Sequence, residues 1–276
     1  RSSKKILMFW RETYFRGDTV DSKMVGSIDD YAKSYSRVCV RESVDEMRSW
    51  SHVRQIDVMG EAGTELFFYG GPNPPLELES GRIVLPIIYL SKADPQTMTA
   101  RFLISDDAGG TWSSGPRDVE VDAPRGAMEP NVVETASNEL LCLYRTKAGC
   151  RFASRSADSG ENWSTPEPTR ISTPESISAM IKLDSGSLLL VRNPVSTPHS
   201  WPRYPLCASL SKDGGTTWSN DVVIMDESGR NQLSNFGLHE LDDGSVILAI
   251  SHYHATQPTI SDIDIALFDE TWVRSQ

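Results

Sequence analysis

The stretch SDDAGGTWSSG, Ser105 to Gly115, decides how this chain is read. Within it, the spacing Ser-x-Asp-x-Gly-x-x-Trp joins short polar turn formers to one large aromatic ring. The same spacing returns as SADSGENW (Ser156, Asp158, Gly160, Trp163) and as SKDGGTTW (Ser211, Asp213, Gly215, Trp218). A worn copy, SVDEMRSW, keeps Ser43, Asp45 and Trp50 but carries Met47 where the others have glycine. Trp272, in FDETW, stands at the next interval without the rest of the box. Repetition at about fifty-odd residues is the mark of a chain built from supersecondary units that bury their faces against one another.

Each unit reads as short strands. Before the boxes run LESGRIVLPIIYL, ASNELLCLYRT and LDSGSLLLVRNP, and a fourth such stretch is LDDGSVILAISHY. Second runs, TARFLIS, CRFASRS and PLCASLS, lead into the boxes, and DVVIM follows one of them. Apolar runs separated by Gly, Asp, Asn and Ser predict antiparallel hairpins. Four strands per repeat predicts an all-β chain, a β-propeller of four-stranded blades in one domain over residues 1–276. Asp and Ser side chains bond to their own turn, the glycine supplies a positive φ, and the tryptophan wedges between hairpins. The boxes are therefore read as structural, and chemistry is sought elsewhere.

Composition narrows the choice of partner. The chain has 276 residues, 38% of them hydrophobic, and a formal net charge of -11. Such acidity argues against nucleic acid, while leaving room for a local basic pocket. No apolar run has the length of a membrane span, and no charged-then-apolar leader opens the sequence. Compartment is not legible. Cys39, Cys142, Cys150 and Cys207 follow neither zinc spacing nor a compact disulfide framework, and are expected as free, mostly buried thiols. His252 and His254 in SHYHAT share one strand face, but with no third ligand they are expected as solvent-facing loop histidines. DIDIALFDE lacks the spacing of a calcium loop, and no phosphate cradle, G-x-S-x-G elbow or H-E-x-x-H pair occurs. No metal and no cofactor are expected.

Polar residues beside apolar strands remain. In GAMEPNVVETASNELLCLYRT, Glu129 starts one strand and Arg145 ends the next, so both reach the same mouth of a propeller channel. Arg203 follows a Pro-rich loop in SLLLVRNPVSTPHSWPRYPLCASLS. Guanidinium forks hold carboxylates in bidentate fashion, so two of them at one mouth point to a small anionic ligand.

With the Asp boxes, Glu129, Arg145 and Arg203 in this order, the chain resembles the sialidase (neuraminidase) superfamily from about Ile6 to Trp272. The resemblance implies a six-bladed propeller of which about five blades are visible, with the N-terminal strands expected to be lacking. It implies a site in which three arginines bind the sugar carboxylate, an aspartic acid donates a proton, and a tyrosine paired with a glutamate attacks. Carried over residue by residue, Glu129 is the glutamate, and Arg145 and Arg203 are the second and third arginines. The first arginine is expected before residue 1. The acid falls in RETYFRGDTVDSKMVGSIDDYAKSYSRVCV, where Asp30 is preferred, with Asp29 and Asp21 behind it. At the tyrosine's position, counted back from LDDG, stands Asn235. Asparagine is no nucleophile. Tyr253 fills the gap, or water attacks with Glu129 as base, or the protein binds without cleaving. The implied function is hydrolysis of terminal sialic acid, or of a related acidic sugar, from glycans. The alternatives are a catalytically silent glycan-binding propeller and a lyase acting on uronic-acid glycans.

Overall fold

The computed structural model describes residues 5–15, 34–56, 65–68, 74–91, 96–226, 232–254 and 257–276. Its strands form five antiparallel sheets, each drawn from one continuous stretch of chain. The first sheet contains β1 (Ile6–Phe15), β2 (Ser34–Ser43) and β3 (Arg54–Ile56). The second contains β4 (Glu65–Phe68), β5 (Leu76–Glu77), β6 (Ile83–Ser91), β7 (Met98–Ser105) and β8 (Ser113–Ser114). The third runs β9 (Met128–Ala136), β10 (Glu139–Arg145), β11 (Cys150–Ser156) and β12 (Glu167–Ser172). The fourth runs β13 (Ala179–Lys182), β14 (Leu188–Arg192), β15 (Leu206–Ser211) and β16 (Val222–Met225). The fifth has β17 (Gln232–Glu240), β18 (Ser245–His254) and β19 (Gln257–Asp269), followed by a helix α1 (Glu270–Ser275).

First strands of successive sheets pack side by side, β9 against β13 and β13 against β17, so the sheets are blades arranged about an axis as a β-propeller. Four strands per blade holds for the third and fourth sheets. In the second, the inner position is split, with β4 pairing the end of β6 and β5 its beginning. The first and fifth sheets have three strands each among the described residues. Trp272 belongs to α1 rather than to a turn; Asp269 caps the helix by accepting from Trp272 N, and the indole lies 5.6 Å from the Phe268 ring.

The wholly apolar second strands now have a cause. Alternate residues of β10 serve two different cores: Leu140, Cys142 and Tyr144 pack with Val84, Ile88 and Phe102 of the second blade. Leu141 and Leu143 pack with Met180, Leu188 and Leu190 of the fourth. A strand in mid-blade is covered on both faces, so its period-two pattern disappears. The four cysteines are free, with Cys39, Cys142 and Cys207 buried and Cys150 half-buried.

Each box, the worn copy included, follows the next-to-last strand of its sheet: β2, β7, β11 and β15. Ser105 Oγ donates to Asp107 Oδ1 and accepts from Gly109 N, both at 2.8 Å, while Thr111 N and Oγ1 donate to the same carboxylate. The pattern is repeated around Asp158 and Asp213. Each turn has two successive left-handed residues: Ala108 and Gly109, Ser159 and Gly160, Gly214 and Gly215, and in the worn copy Glu46 and Met47 at φ 58° and 67°. The glycine is also sterically required, since a Cβ on Gly215 would lie 2.3 Å from Leu141 Cδ2 of the preceding blade.

The boxes also hold each blade to the one before it. Trp112 meets Phe9 edge-on at 5.8 Å, and Trp163 stacks on Phe102 at 4.2 Å. Arginines reach across to the turn carbonyls: Arg54 to Gly109 O and Gly110 O, Arg82 to Ser159 O, and Arg155 to Gly214 O.

Met47 is an exposed side chain in a backbone conformation that suits glycine, and Met47 N still donates to Ser43 Oγ at 2.9 Å. Met47→Gly should relieve left-handed strain by more than it adds to the entropy of the unfolded chain, a net gain of about 0.5–1 kcal/mol. Calorimetry should show a higher melting temperature, and a lower one would mean that the turn carries no such strain.

Candidate functional site

In this meander, the start of a blade's first strand, the end of its second and the links between blades share one end, while the boxes lie at the other. Chemistry-bearing side chains collect at the first end. Glu129 starts β9, and Arg145 ends the adjacent β10. Glu175 lies in the link from β12 to β13, Arg203 in the link from β14 to β15, and Gln232, Ser234 and Asn235 at the start of β17.

Two matching backbone irregularities shape this end. Between the pairs Leu143↔Asn131 and Arg145↔Met128, three residue steps on β9 oppose two on β10, and Glu129 takes φ 43°. Between Ser234↔Ser251 and Gly237↔Ala249 the same mismatch recurs on β17, and Asn235 takes φ 56°. Bulges of this kind re-aim a side chain, and left-handed non-glycine residues concentrate where a site over-determines the backbone.

Both carboxylate oxygens of Glu129 accept from Arg145 Nη1 at 2.9 Å. Arg145 Nη2 donates to the carbonyl oxygen of Glu175 at 3.1 Å, and Arg203 Nη2 donates to that same oxygen at 3.2 Å. One backbone oxygen therefore gathers the two guanidinium groups. Arg203 is held further by Ser200 O at 2.9 Å and Ser234 Oγ at 3.1 Å, and its guanidinium lies 5.2 Å from the Trp201 ring centre. Gln232 Nε2 donates to Ser234 Oγ at 2.8 Å, completing the support. Beneath them Arg151 is fully buried, donating to Ser176 O at 2.6 Å.

The Glu175 side chain is buried and pairs with Arg125, while Ser200 Oγ donates to its second oxygen at 2.8 Å. Burial pushes its carboxyl up, but the Ser200 hydroxyl and the Arg125 guanidinium outweigh that and hold it below the ordinary glutamate range. Burial, reinforced by the Arg145 charge, pulls Arg203 down to about 10 and Arg151 down to about 9, so both remain cationic at neutral pH. Among the described residues, five cations (Arg125, Arg145, Lys147, Arg151 and Arg203) surround two carboxylates, Glu129 and Glu175. This mouth is cationic in a chain whose formal net charge is -11.

Of the residues singled out in the sequence, Glu129, Arg145 and Arg203 stand together. Asn235 is exposed, adjacent to the Ser234 that Arg203 contacts. The backbone of Tyr253 pairs with Gln232, while its side chain lies outside what is described. Asp30, Asp29 and Asp21 lie outside the described residues. His252 is not a solvent-facing loop residue: it is wholly buried on β18, with Nδ1 paired to Asp264, because β18 is a mid-blade strand covered by its neighbours. Glu175, Arg125 and Lys147 were not anticipated. Two signals stand in the sequence, a lone carboxylate in the Ser- and Pro-rich ISTPESIS and an arginine four residues before Glu129.

Residues 22–248 match the family described as BNR repeat-like domain. A sialidase of Bacteroides fragilis (strain YCH46) is 24% identical over 206 residues, covering 71% of this chain and 36% of its own length. Human Sialidase-3 is 29% identical over 167 residues, covering 54% of this chain and 36% of its own. The Hadza microbial sialidase Hz136 superimposes with a TM-score of 0.69 at 17% identity, over 96% of this chain and 50% of that one, a likeness of fold. The chain thus spans 36% of the length of these two curated relatives.

Glu175→Gln should leave Arg125 without its counter-ion and lower stability at pH 7. The cost should be about 1–2 kcal/mol, below that of a fully buried pair because Arg125 is part-exposed and gains water. A carboxyl held below its unfolded value contributes stability above that value and loses it as pH falls through the folded one. Denaturant midpoints of wild type and variant should therefore differ at pH 7 and converge below about pH 4. A gap that stays constant with pH would show that the charge of Glu175 is irrelevant to the fold.

Proposed function

The chain belongs to the BNR repeat-like domain family, and from that footing we propose that it is a sialidase-like glycoside hydrolase acting on terminal sialic acid or a related acidic sugar. The observation that carries this reading is the convergence of Arg145 and Arg203 on one carbonyl oxygen, beside Glu129, in a cationic mouth. Planar forks in a partly desolvated site favour a carboxylate over a neutral sugar. The sialidases similar to this chain lend the substrate class.

The sugar carboxylate sits on the anomeric carbon, so an anionic nucleophile meets repulsion and a neutral one is needed. Asn235, at the bulge corresponding to that of Glu129, offers none. Water then attacks the anomeric carbon while Glu129 takes its proton, and Asp30 is assigned to protonate the departing oxygen. Arg145 orients Glu129 through both of its oxygens. A single displacement inverts the anomeric configuration, whereas two displacements through a covalent glycosyl-tyrosine intermediate, with Tyr253 as its source, retain it. Asn235 also favours a second reading, a propeller that binds acidic glycans without cleaving them.

One experiment separates these. Wild type should release the fluorophore from a fluorogenic sialoside, and Glu129→Gln should keep its affinity while losing roughly 10²–10⁴-fold in turnover, the usual share of a general base. Arg203→Lys should weaken binding, since a point charge replaces a fork, and should also lower the melting temperature, because the fork bonds Ser200 O, Ser234 Oγ and Glu175 O. Measurable binding with no turnover in wild type would remove the hydrolase and leave the glycan-binding reading. Proton NMR of the first-formed sugar distinguishes inversion from retention.

A further inference from the structure

Glu175 carries two cationic pairs, one on its backbone and one on its side chain. The carbonyl oxygen takes Arg145 and Arg203. The carboxylate takes Arg125 on one oxygen, with Lys147 Nζ 4.0 Å from the other. The second pair stands at the rim, for the Arg125 and Lys147 side chains are 38% and 42% exposed, while that of Glu175 is 3% exposed.

Arg125 is built into place. It adopts φ 69°, its carbonyl accepts from Met98 N at 2.9 Å, and Gly126 beside it sits so close to Met98 that a Cβ would lie 2.3 Å from the Met98 carbonyl oxygen. A strained turn clamped by the neighbouring blade holds the arginine at the mouth, although a solvated surface arginine needs no such fixing. Charge supplies the second argument. Among the described residues, Glu175 neutralises one of the two rim cations and Glu129 one of the three deeper ones, so each group keeps a positive excess. A ligand with one carboxylate leaves the rim excess unanswered.

We infer that Arg125 and Lys147 form a second anion subsite, and that the ligand is a dianionic glycan end: an acidic sugar in the Arg145–Arg203 fork, with a further anionic group, such as a sulfate ester, on the adjoining sugar. This rests on the reading of that fork as a carboxylate clamp. Arg125 and Lys147 then set specificity by binding, and take no part in bond breaking.

Isothermal titration at fixed ionic strength with 3'-sialyllactose and its 6-O-sulfated form provides the test. Wild type should bind the sulfated probe roughly tenfold more tightly, the worth of one charge-assisted contact. In Arg125→Ala the ratio of the two affinities should fall to about one, a readout from which any loss common to both probes cancels. Lys147→Ala, at a more exposed side chain, should lose part of the advantage and serves if the first variant fails to fold. Equal affinity of wild type for both probes, or an equal loss for both in Arg125→Ala, overturns the subsite and leaves the clamp standing. No binding of either probe by wild type overturns both.

Discussion

The interaction on which the propeller depends is the serine hydroxyl of each box, shared between an aspartate and a backbone amide. Ser105, Ser156 and Ser211 each donate to an aspartate two residues on and accept from the glycine amide four residues on. Two consecutive left-handed residues are costly on their own. Satisfying the amide and carboxylate at the same point makes the turn a single outcome rather than one of several. Once the turn is fixed, the tryptophan that follows and the turn carbonyls are delivered to the preceding blade, where an aromatic ring or an arginine receives them. A blade cannot bury its own faces, so this handover between neighbours is what makes the repeat a fold.

Side-chain bonds join the blades at both ends, and the ends differ in how far their charges are answered. At the end away from the arginine cluster, Glu134 accepts from Glu79 N and Glu240 accepts from Asp184 N, each across to a neighbouring blade's backbone, and the arginine that reaches the Ser159 carbonyl there, Arg82, is itself paired with Asp106 and Glu161. At the other end the blades are spanned by guanidinium groups on Glu175 and Ser234. Amide and carboxylate ties are short and self-satisfying. The guanidinium end retains positive charge, and Arg145 Nε stays buried without a hydrogen-bond partner. An end that stabilises itself incompletely is the one suited to receiving a ligand.

Box positions, apolar strands and free thiols were legible because they depend on local spacing. Glu129 and Arg145 were legible too, since a hairpin fixes where the start of one strand stands relative to the end of the next. Glu175 was not, for a reason that is physical: its importance comes from a backbone oxygen, which every residue has, and from Arg125, which lies 50 positions away in sequence. His252 departs from the loop signal of SHYHAT because β18 continues through His254 and its Nδ1 meets Asp264 of β19. Strand length within a blade is set by its neighbours in the sheet, and a single-strand pattern carries no record of them.

Asn235 and Glu129 draw these threads together. Both sit on a bulge at the start of a blade's first strand, both have a positive φ, and each lies next to a residue of the arginine network. The backbone at both places bears a cost of about 1–3 kcal/mol that packing alone gives no reason to keep, since an ordinary strand would pair without it. At Glu129 the return is plain, because the bulge turns the carboxylate onto Arg145. At Asn235 the bulge buries Phe236 in the core on one side and leaves the amide exposed on the other. Asparagine tolerates that conformation better than most residues, because its short polar side chain can bond locally. The bulge and its positive φ are therefore present at Asn235 as at Glu129, while the side chain it carries has no nucleophilic oxygen. An amide gives a donor and an acceptor but no nucleophile, so the hydrolysis proposed above draws its nucleophile from solvent or from another strand.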